Sequence, residues 1–250
     1  MPRHVLITGV AGGIGSATAN VFADEGWRVV GVDRETADLK SVHHFIEADI
    51  SEEKASAQIF EEVKSEEGHL DALVNNAAIQ ICKPIVEMTT GEWDATMASN
   101  LRSVFLAVKN AYSLLRSGGA IINVSSVHAE ATSSDIAAYA ASKGGLLAFT
   151  RALSIEFADD DIRVNAVLPG AVDTEMLRDG LERDYGEEGA TKTVQEKMRA
   201  LGTRHVIGRV GQPEEIAQTI LFLADGERSS FVTGQALTVD GGATARLSTE

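Results

Sequence analysis

HVLITGVAGGIG, residues 4 to 15, decides the architecture. The run begins as a short apolar strand, His4 to Thr8, and passes straight into glycines at 9, 12, 13 and 15. A strand that feeds a glycine-rich turn and then a helix lets bare backbone curve around a pyrophosphate and aims unpaired helix N–H groups at it. Gly9, Gly12, Gly13, Ile14 and Gly15 are therefore candidate cofactor-binding residues, although any tight strand-to-helix turn favours glycine. The second strand ends in Asp33, 24 residues after Gly9, close to the spacing at which a carboxylate accepts hydrogen bonds from an adenosine ribose. A carboxylate there repels a 2′-phosphate and favours NAD. Arg34, one residue on, has the charge to hold that phosphate, so NADP stays open.

Outward from this stretch, short apolar runs alternate with longer amphipathic ones. WRVVGV (27 to 32), HFIEA (44 to 48), LDALVN (70 to 75), AIINVS (120 to 125), IRVNAVL (162 to 168) and ALTVD (236 to 240) read as buried strands. Helical patterns cover 14 to 25, 52 to 66, roughly 92 to 116, 139 to 158 and 213 to 224, the last opened by Pro213 with Glu214 and Glu215 in its first turn. The alternation predicts an α/β protein: a doubly wound Rossmann fold, a seven-stranded parallel sheet with helices on both faces, in a single domain over residues 1–250. Residues 175–208, charged and punctuated by glycine, are too long for an ordinary connection and read as a substrate-binding lid.

Composition narrows the function classes. The net charge is −15, from 22 basic and 37 acidic residues, and no Lys/Arg cluster is present to line a polyphosphate groove, so no nucleic-acid partner is expected. One cysteine, Cys82, excludes an internal disulfide and a Cys-rich metal site and suits a reducing compartment. Its expected role is that of a small, partly buried apolar residue. The six histidines show no ligand-like pairing with carboxylates at helical spacing, so no metal is expected; adjacent His43 and His44 read as surface residues. No secretory leader or membrane-spanning run is visible, and a cytoplasmic location is expected.

YAASK, residues 139 to 143, carries the chemistry. Positions i and i+4 share a helix face, so the Tyr139 phenol and the Lys143 ammonium approach each other. A free phenol titrates near about pH 10, and a neighbouring cation lowers that value toward working pH. Alone, a Tyr-x-x-x-Lys pair is a weak signal, since a tyrosine packing on a lysine stem has the same spacing.

TGVAGGIG (8 to 15), NNAA (75 to 78), INVSS (122 to 126), YAASK (139 to 143), PGAVDT (169 to 174) and VDGG (239 to 242) stand in the order and spacing of the short-chain dehydrogenase/reductase family, in its form of about 250 residues, which the chain resembles over nearly its whole length. The resemblance implies a catalytic set of Asn100, Ser126, Tyr139 and Lys143. Ser126, 13 residues before Tyr139, would hydrogen-bond the substrate oxygen; Asn100 would hold a water linking Lys143 to solvent. It further implies cofactor contacts from Asp49 and Ile50 to adenine, Asn76 on the adenosine side, Val172 and Thr174 to the nicotinamide amide, and Tyr139 and Lys143 near the nicotinamide ribose. Two departures stand out: Ala78 and Ala129 replace glycines usual in the family, and the second reshapes the loop beside the substrate. In that loop His128 has two readings, one facing the substrate and one, favoured by sequence, exposed to solvent.

The expected activity is hydride transfer between NAD(H) and a secondary alcohol or ketone, with Tyr139 as general acid/base. A sugar, polyol or similar small hydroxylated substrate is expected, from Asp33, the polar lid and a similarity to sugar-dehydrogenase members. Glu175, Arg178, Asp179 and Arg183 in the lid suit a hydroxyl-rich ligand, although charge runs commonly face water. The alternatives are an NADPH-dependent 3-oxoacyl thioester reductase and, in another class, a non-catalytic dinucleotide-binding regulator. Apolar residues around much of helices 92 to 116 and 139 to 158, with the family's habit, imply a homotetramer.

Overall fold

In the strand His4–Thr8 (β1), Val5 and Ile7 point to one side of the sheet and Leu6 to the other, and each side is closed by its own layer of helices. The computed structural model describes residues 2–36, 39–182 and 193–245. Six further strands follow: β2 (Arg28–Asp33), β3 (His44–Glu47), β4 (Leu70–Asn75), β5 (Leu115–Val124), β6 (Arg163–Pro169) and β7 (Ala236–Val239). All neighbours pair in parallel, in the order β3-β2-β1-β4-β5-β6-β7. A parallel sheet covered on both faces needs apolar residues at nearly every central position, which is why its strands read as continuous runs rather than alternating ones.

The helices are α1 (Gly13–Asp24), α2 (Glu53–Glu66), α3 (Thr90–Met97), α4 (Ser103–Ala111), α5 (Ala137–Glu156), α6 (Glu175–Glu182), α7 (Val194–Gly202), α8 (Pro213–Ala224) and α9 (Gly226–Ser229). Phe22 of α1 and Ile216 and Ile220 of α8 fill one layer; Ile59 of α2, Val104 of α4 and Leu146 of α5 fill the other. Each such side chain contributes roughly 1.5–3 kcal/mol when fully buried. Pro213 opens α8 as expected, with Gln212 and Glu215 forming a reciprocal cap.

The helix expected over 92 to 116 is interrupted. A π-helical turn, Ala98–Arg102, separates α3 from α4, and a 3-10 turn, Tyr112–Leu114, ends the run so that β5 begins at Leu115 rather than near 120. Pairing of β4 with β5 shifts register between Leu70 and Ala72, and Gly118 (φ +82°) takes the left-handed conformation this irregularity requires. Of the stretch 175–208, α6 and α7 are described and are tied by the Lys197 ammonium, which donates to the Leu181 carbonyl at 2.8 Å. Residues 183–192, Arg183 among them, lie outside the described residues. No helix among the described residues is long and apolar enough to cross a membrane.

Strand order reverses direction between β1 and β4, so the loops leaving their C-terminal ends diverge and leave a crevice. The segments leaving β1, β2, β3, β4, β5 and β6 carry most of the residues singled out from sequence, and Asn100, Tyr139 and Lys143 come from the π turn and α5.

Candidate active site

Gly9, directly after β1, has φ +67°, and a Cβ there would lie 2.8 Å from the Cα of Ala77. At Gly15 a Cβ would run into the Gly9 carbonyl, so only glycine lets α1 start this close to the loop. Gly12 precedes the first turn of α1 and accepts the Ser16 N–H at 2.8 Å. Across the crevice, Asn76 donates from Nδ2 to the carbonyls of Thr8 (3.1 Å) and Gly9 (2.9 Å), and its own N–H donates to the Thr8 hydroxyl at 3.0 Å. Asn76 therefore fixes the loop's curvature from the β4 side.

Asp33 ends β2 beside that loop. Its Oδ2 accepts the Ala11 N–H at 2.9 Å, and Oδ1 accepts those of Arg34 (2.7 Å) and Glu35 (3.3 Å). Asp49 accepts the N–H and hydroxyl of Ser51, and its other oxygen lies 3.8 Å from the Arg34 guanidinium. Ile50 is buried in the layer formed by α2, α4 and α5. Beyond β6, Val172 is buried, and the Thr174 side chain stands over Gly13, where a Cβ would meet its Cγ2 at 2.9 Å.

Tyr139 and Lys143 lie on one face of α5, both buried, with the Lys143 nitrogen 5.6 Å from the centre of the Tyr139 ring. Lys143 Nζ donates to the Val124 carbonyl at 2.8 Å, and Ser125 Oγ donates to the Lys143 carbonyl at 2.9 Å, so α5 is stapled to the end of β5 in both directions. Ser126, next along, presents its hydroxyl to the phenol. Asn100 sits in the π-helical turn, a local widening often found at functional sites. Its Oδ1 accepts the Ile79 N–H at 2.8 Å, and Nδ2 donates to the Ile79 carbonyl (2.9 Å) and Ser142 Oγ (3.1 Å). Ser142 in turn donates to the Tyr139 carbonyl at 2.7 Å, which links Asn100 to the helix turn carrying the phenol.

The electrostatics differ from the sequence expectation. Burial pushes the Tyr139 phenol up to about 12; the Ser126 hydroxyl pulls it down, and Cys82 adds to the rise. Lys143 is not among the groups that move it. The ammonium donates to the Val124 carbonyl, and burial lowers Lys143 itself to about 8. Tyr139 is thus protonated at neutral pH, and burial makes it a weaker acid than a free phenol.

Sequence reasoning missed the supports of this cluster. Asn75 of β4 donates to Asn123 of β5 at 2.9 Å, Asn123 donates to Thr150 of α5 at 2.9 Å, and Thr150 donates to the Leu146 carbonyl at 2.8 Å. Asparagines at equivalent ends of two apolar strands were the available signal, since buried amides need partners.

A family model described as enoyl-(acyl carrier protein) reductase matches residues 9–244. The chain is 37% identical over 250 residues to the 3-oxoacyl-(acyl-carrier-protein) reductase of Thermotoga maritima, covering 95% of this chain and 96% of the relative. The chain belongs to the short-chain dehydrogenase/reductase family. Another member of this family, a cyclopentanol dehydrogenase of Comamonas sp., is 36% identical over 255 residues, covering 97% of both chains. Among solved structures, the ligand-free aldohexose dehydrogenase of Thermoplasma acidophilum superposes with a TM-score of 0.92 at 32% identity, covering 99% of this chain and 96% of that one. The seven-stranded parallel sheet and single Rossmann-type domain expected from sequence are those of this oxidoreductase family.

Two surface assignments change, those of His128 and His44. His128 is half-buried and edge-on to Tyr139 rather than facing solvent. Arg178 is held by both oxygens of Asp173, at 2.8 and 3.1 Å, which ties the first half of α6 to the loop after β6. His43 is at the surface, but His44 is half-buried and paired with Glu62 at 2.8 Å. A separate groove of about 780 Å³, lined by Met97, Leu101, Phe105, Phe149 and neighbours, runs between α3/α4 and α5 and includes none of the cluster around Tyr139.

Proposed function

We propose that the chain transfers hydride between NAD(H) and a secondary alcohol or its ketone, the substrate being a sugar, polyol or similar small hydroxylated compound. The observation that carries this reading is a buried, protonated Tyr139 next to the Ser126 hydroxyl and Lys143, at the same edge of the sheet as the glycine loop. The loop fits a dinucleotide: Gly9, Gly13 and Gly15 let the loop pack against Ala77, Thr174 and its own first turn closer than side chains would allow, which holds the curve at the helix N-terminus, and Asp33 retains acceptor capacity beside it. Gly12, Ile14, Asp49, Ile50, Asn76, Val172 and Thr174 complete the proposed binding surface.

A bound nicotinamide supplies the hydride donor or acceptor. In reduction, Ser126 Oγ positions the carbonyl oxygen and the Tyr139 hydroxyl donates its proton to that oxygen as the carbon gains the hydride pair. In oxidation, the Tyr139 phenolate takes the alcohol proton as the carbon loses hydride. Lys143, 5.6 Å from the centre of the phenol ring, holds ribose hydroxyls, while Asn100 positions α5 and hosts the water that returns a proton to solvent.

Asp33 favours NAD through charge repulsion of a 2′-phosphate, while Arg34, drawn toward Asp49, keeps NADP use open. The relatives named for cyclopentanol and aldohexose oxidation support an alcohol substrate. The relative named for 3-oxoacyl reduction supports a second reading, NADPH-linked reduction of a 3-oxoacyl thioester. We also propose a homotetramer formed through the α4–α5 groove, and a substrate lid in 175–208.

The deciding experiment is initial-rate turnover of cyclopentanol, hexoses and linear polyols with NAD and with NADP, alongside ketone and 3-oxoacyl thioester reduction. NAD-linked alcohol oxidation is expected. Turnover confined to the thioester with NADPH selects the second reading, and tight dinucleotide binding without any turnover leaves only a regulatory role.

A further inference from the structure

The loop that carries Ser126 continues into one 3-10 turn, Val127–Ala129, with His128 at its centre. The His128 N–H donates to Ser126 Oγ at 3.2 Å, so the residue proposed to hold the reacting oxygen also sets the backbone that carries the imidazole. The ring meets Tyr139 edge-on, with centroids 6.1 Å apart and planes at 75°. Among the described residues no charged group pairs with it, and its Nδ1 is closed off from solvent without a hydrogen bond; Nε2 is not closed off in this way. Burial lowers the imidazole below its ordinary range, against a smaller opposing pull from the Ala131 carbonyl. The ring is thus neutral at pH 7, with one donor and one acceptor nitrogen.

The loop after β4 approaches the same phenol. Cys82 is near enough to act on the Tyr139 phenol, and the Lys83 N–H donates to the Asp135 carbonyl at 2.6 Å, joining the two loops. Ser126, whose hydroxyl accepts the His128 N–H, and Tyr139, whose ring the imidazole meets, are the two groups proposed to hold the carbinol oxygen, so the imidazole neighbours that oxygen. The atom that reaches the ring is then a substituent on the adjacent carbon. A neutral imidazole suits a hydroxyl there, which both gives and takes a hydrogen bond, better than a carboxylate, which a cation would select.

We propose that His128 is a specificity-determining residue whose imidazole hydrogen-bonds a second hydroxyl on the carbon next to the one oxidised, so that vicinal diols and α-hydroxy ketones are preferred substrates. This rests on the alcohol–ketone reading above and names its substrate class. A site built to hydrogen-bond a substrate hydroxyl discriminates against the analogue lacking it, because its own polar group is then left unpaired.

The test compares cyclopentanol with cis- and trans-cyclopentane-1,2-diol, using NAD and the full chain. Wild type is expected to show a kcat/KM for one diol isomer at least about tenfold above that for cyclopentanol. In His128→Ala that ratio falls to near one, mainly through KM for the diol, and His128→Gln, which keeps a polar group near the Nε2 position, recovers most of it. His128→Phe, which retains the ring's bulk, gives the same loss and serves if the alanine variant does not fold. An equal ratio in wild type and the Ala or Phe variant, with both compounds oxidised, overturns the role of His128 alone. Failure of wild type to oxidise either compound while NADH binding is seen by fluorescence overturns the alcohol reading and this inference with it.

Discussion

The Lys143 ammonium is bound to the carbonyl of Val124 at 2.8 Å, inside a site where the lysine is only 2% exposed. That one contact anchors α5 to β5 and places the charge beside Tyr139, yet burial costs the charged form enough to lower Lys143 to about 8. The cost of burying this charge is measurable.

Removing the charge should stabilise the fold. The difference between the ordinary lysine value of about 10.5 and about 8 corresponds to about 3 kcal/mol, and loss of the hydrogen bond to Val124 returns about 2. Because the folded value lies below the unfolded one, the penalty is fully present below about pH 8 and disappears as pH rises from about 8 to about 10.5. Lys143→Met is therefore expected to be about 1 kcal/mol more stable than wild type in urea unfolding at pH 7, to lose that margin by pH 10, and to be inactive. A variant less stable by about 2 kcal/mol at pH 7 would show that the ammonium is structural.

Tyr139→Phe keeps the ring and its edge contact with His128 but removes the transferable proton. General acid–base catalysis is worth about 10²–10⁴-fold, so kcat should fall by that factor in both directions. NADH affinity, read by fluorescence titration, should change by less than about threefold, an energy under about 1 kcal/mol. Activity within tenfold of wild type excludes Tyr139 as the proton carrier.

Much of this was legible in the sequence because parallel strands, glycine turns and i,i+4 pairs are local signals. The glycine loop, the strand sequence and the Tyr139–Lys143 face needed only local rules. Three features depended on contacts distant in sequence. The π turn at Asn100 depends on Ile79 and Ser142, which hold the amide from two other segments. The chain of Asn75, Asn123 and Thr150 joins three elements and has no periodic signature. The direction in which the Tyr139 phenol moves was misjudged because spacing gives the distance to a cation but not the burial around both groups, and burial dominates.

Cofactor choice should respond to Asp33. Asp33→Ser removes the charge that opposes a 2′-phosphate and leaves Arg34, whose pairing with Asp49 at 3.8 Å is loose and exposed, free to turn toward it. The ratio of kcat/KM for NADP over NAD is expected to rise by about 10–100-fold, or about 1.4–2.7 kcal/mol. Part of the change will be a loss with NAD, since Ala11 and Glu35 also lose their carboxylate acceptor. An unchanged ratio in steady-state assays would remove Asp33 from the selectivity account.

Assembly can be tested at Phe105, which is 47% exposed and lines the α4–α5 groove with Leu101 and Phe149. An exposed aromatic in an apolar groove loses roughly 1.5–3 kcal/mol of burial per site when replaced by a charge at a subunit contact. Phe105→Glu is expected to shift a tetramer to dimers or monomers in light scattering without loss of secondary structure by circular dichroism. A wild-type monomer at micromolar concentration, or a variant with unchanged mass, refutes the groove as the interface.

Acid sensitivity should concentrate at the opposite end of the sheet, around Glu67. Its carboxylate receives Arg28 Nε at 2.6 Å and faces His4 Nδ1 at 3.4 Å and His44 Nδ1 at 3.5 Å, while His4 stacks on His69 with ring centres 4.3 Å apart. Burial pushes Glu67 up, but the Arg28 hydrogen bond and charge, with His4 and His44, outweigh it and hold Glu67 below the usual carboxylate range. His4 is also lowered, chiefly by burial and then by His69, against Glu67 and Asp71. Both groups bind protons more weakly folded than unfolded, so each contributes stability that is present at higher pH and lost on acidification. The His4 part fades as pH falls below about 6.5, and the Glu67 part below about 4.5. Arg28→Met leaves the buried carboxylate without its main partner; because the Arg28 side chain is 41% exposed, the expected loss at pH 7 is about 2 kcal/mol rather than the larger value of a fully buried pair. The variant's Glu67 should protonate at higher pH, so its thermal midpoint should begin to fall at a higher pH than that of wild type on a titration from pH 8 to 4. Parallel curves for the two proteins would mean that the Arg28–Glu67 pair does not govern acid stability.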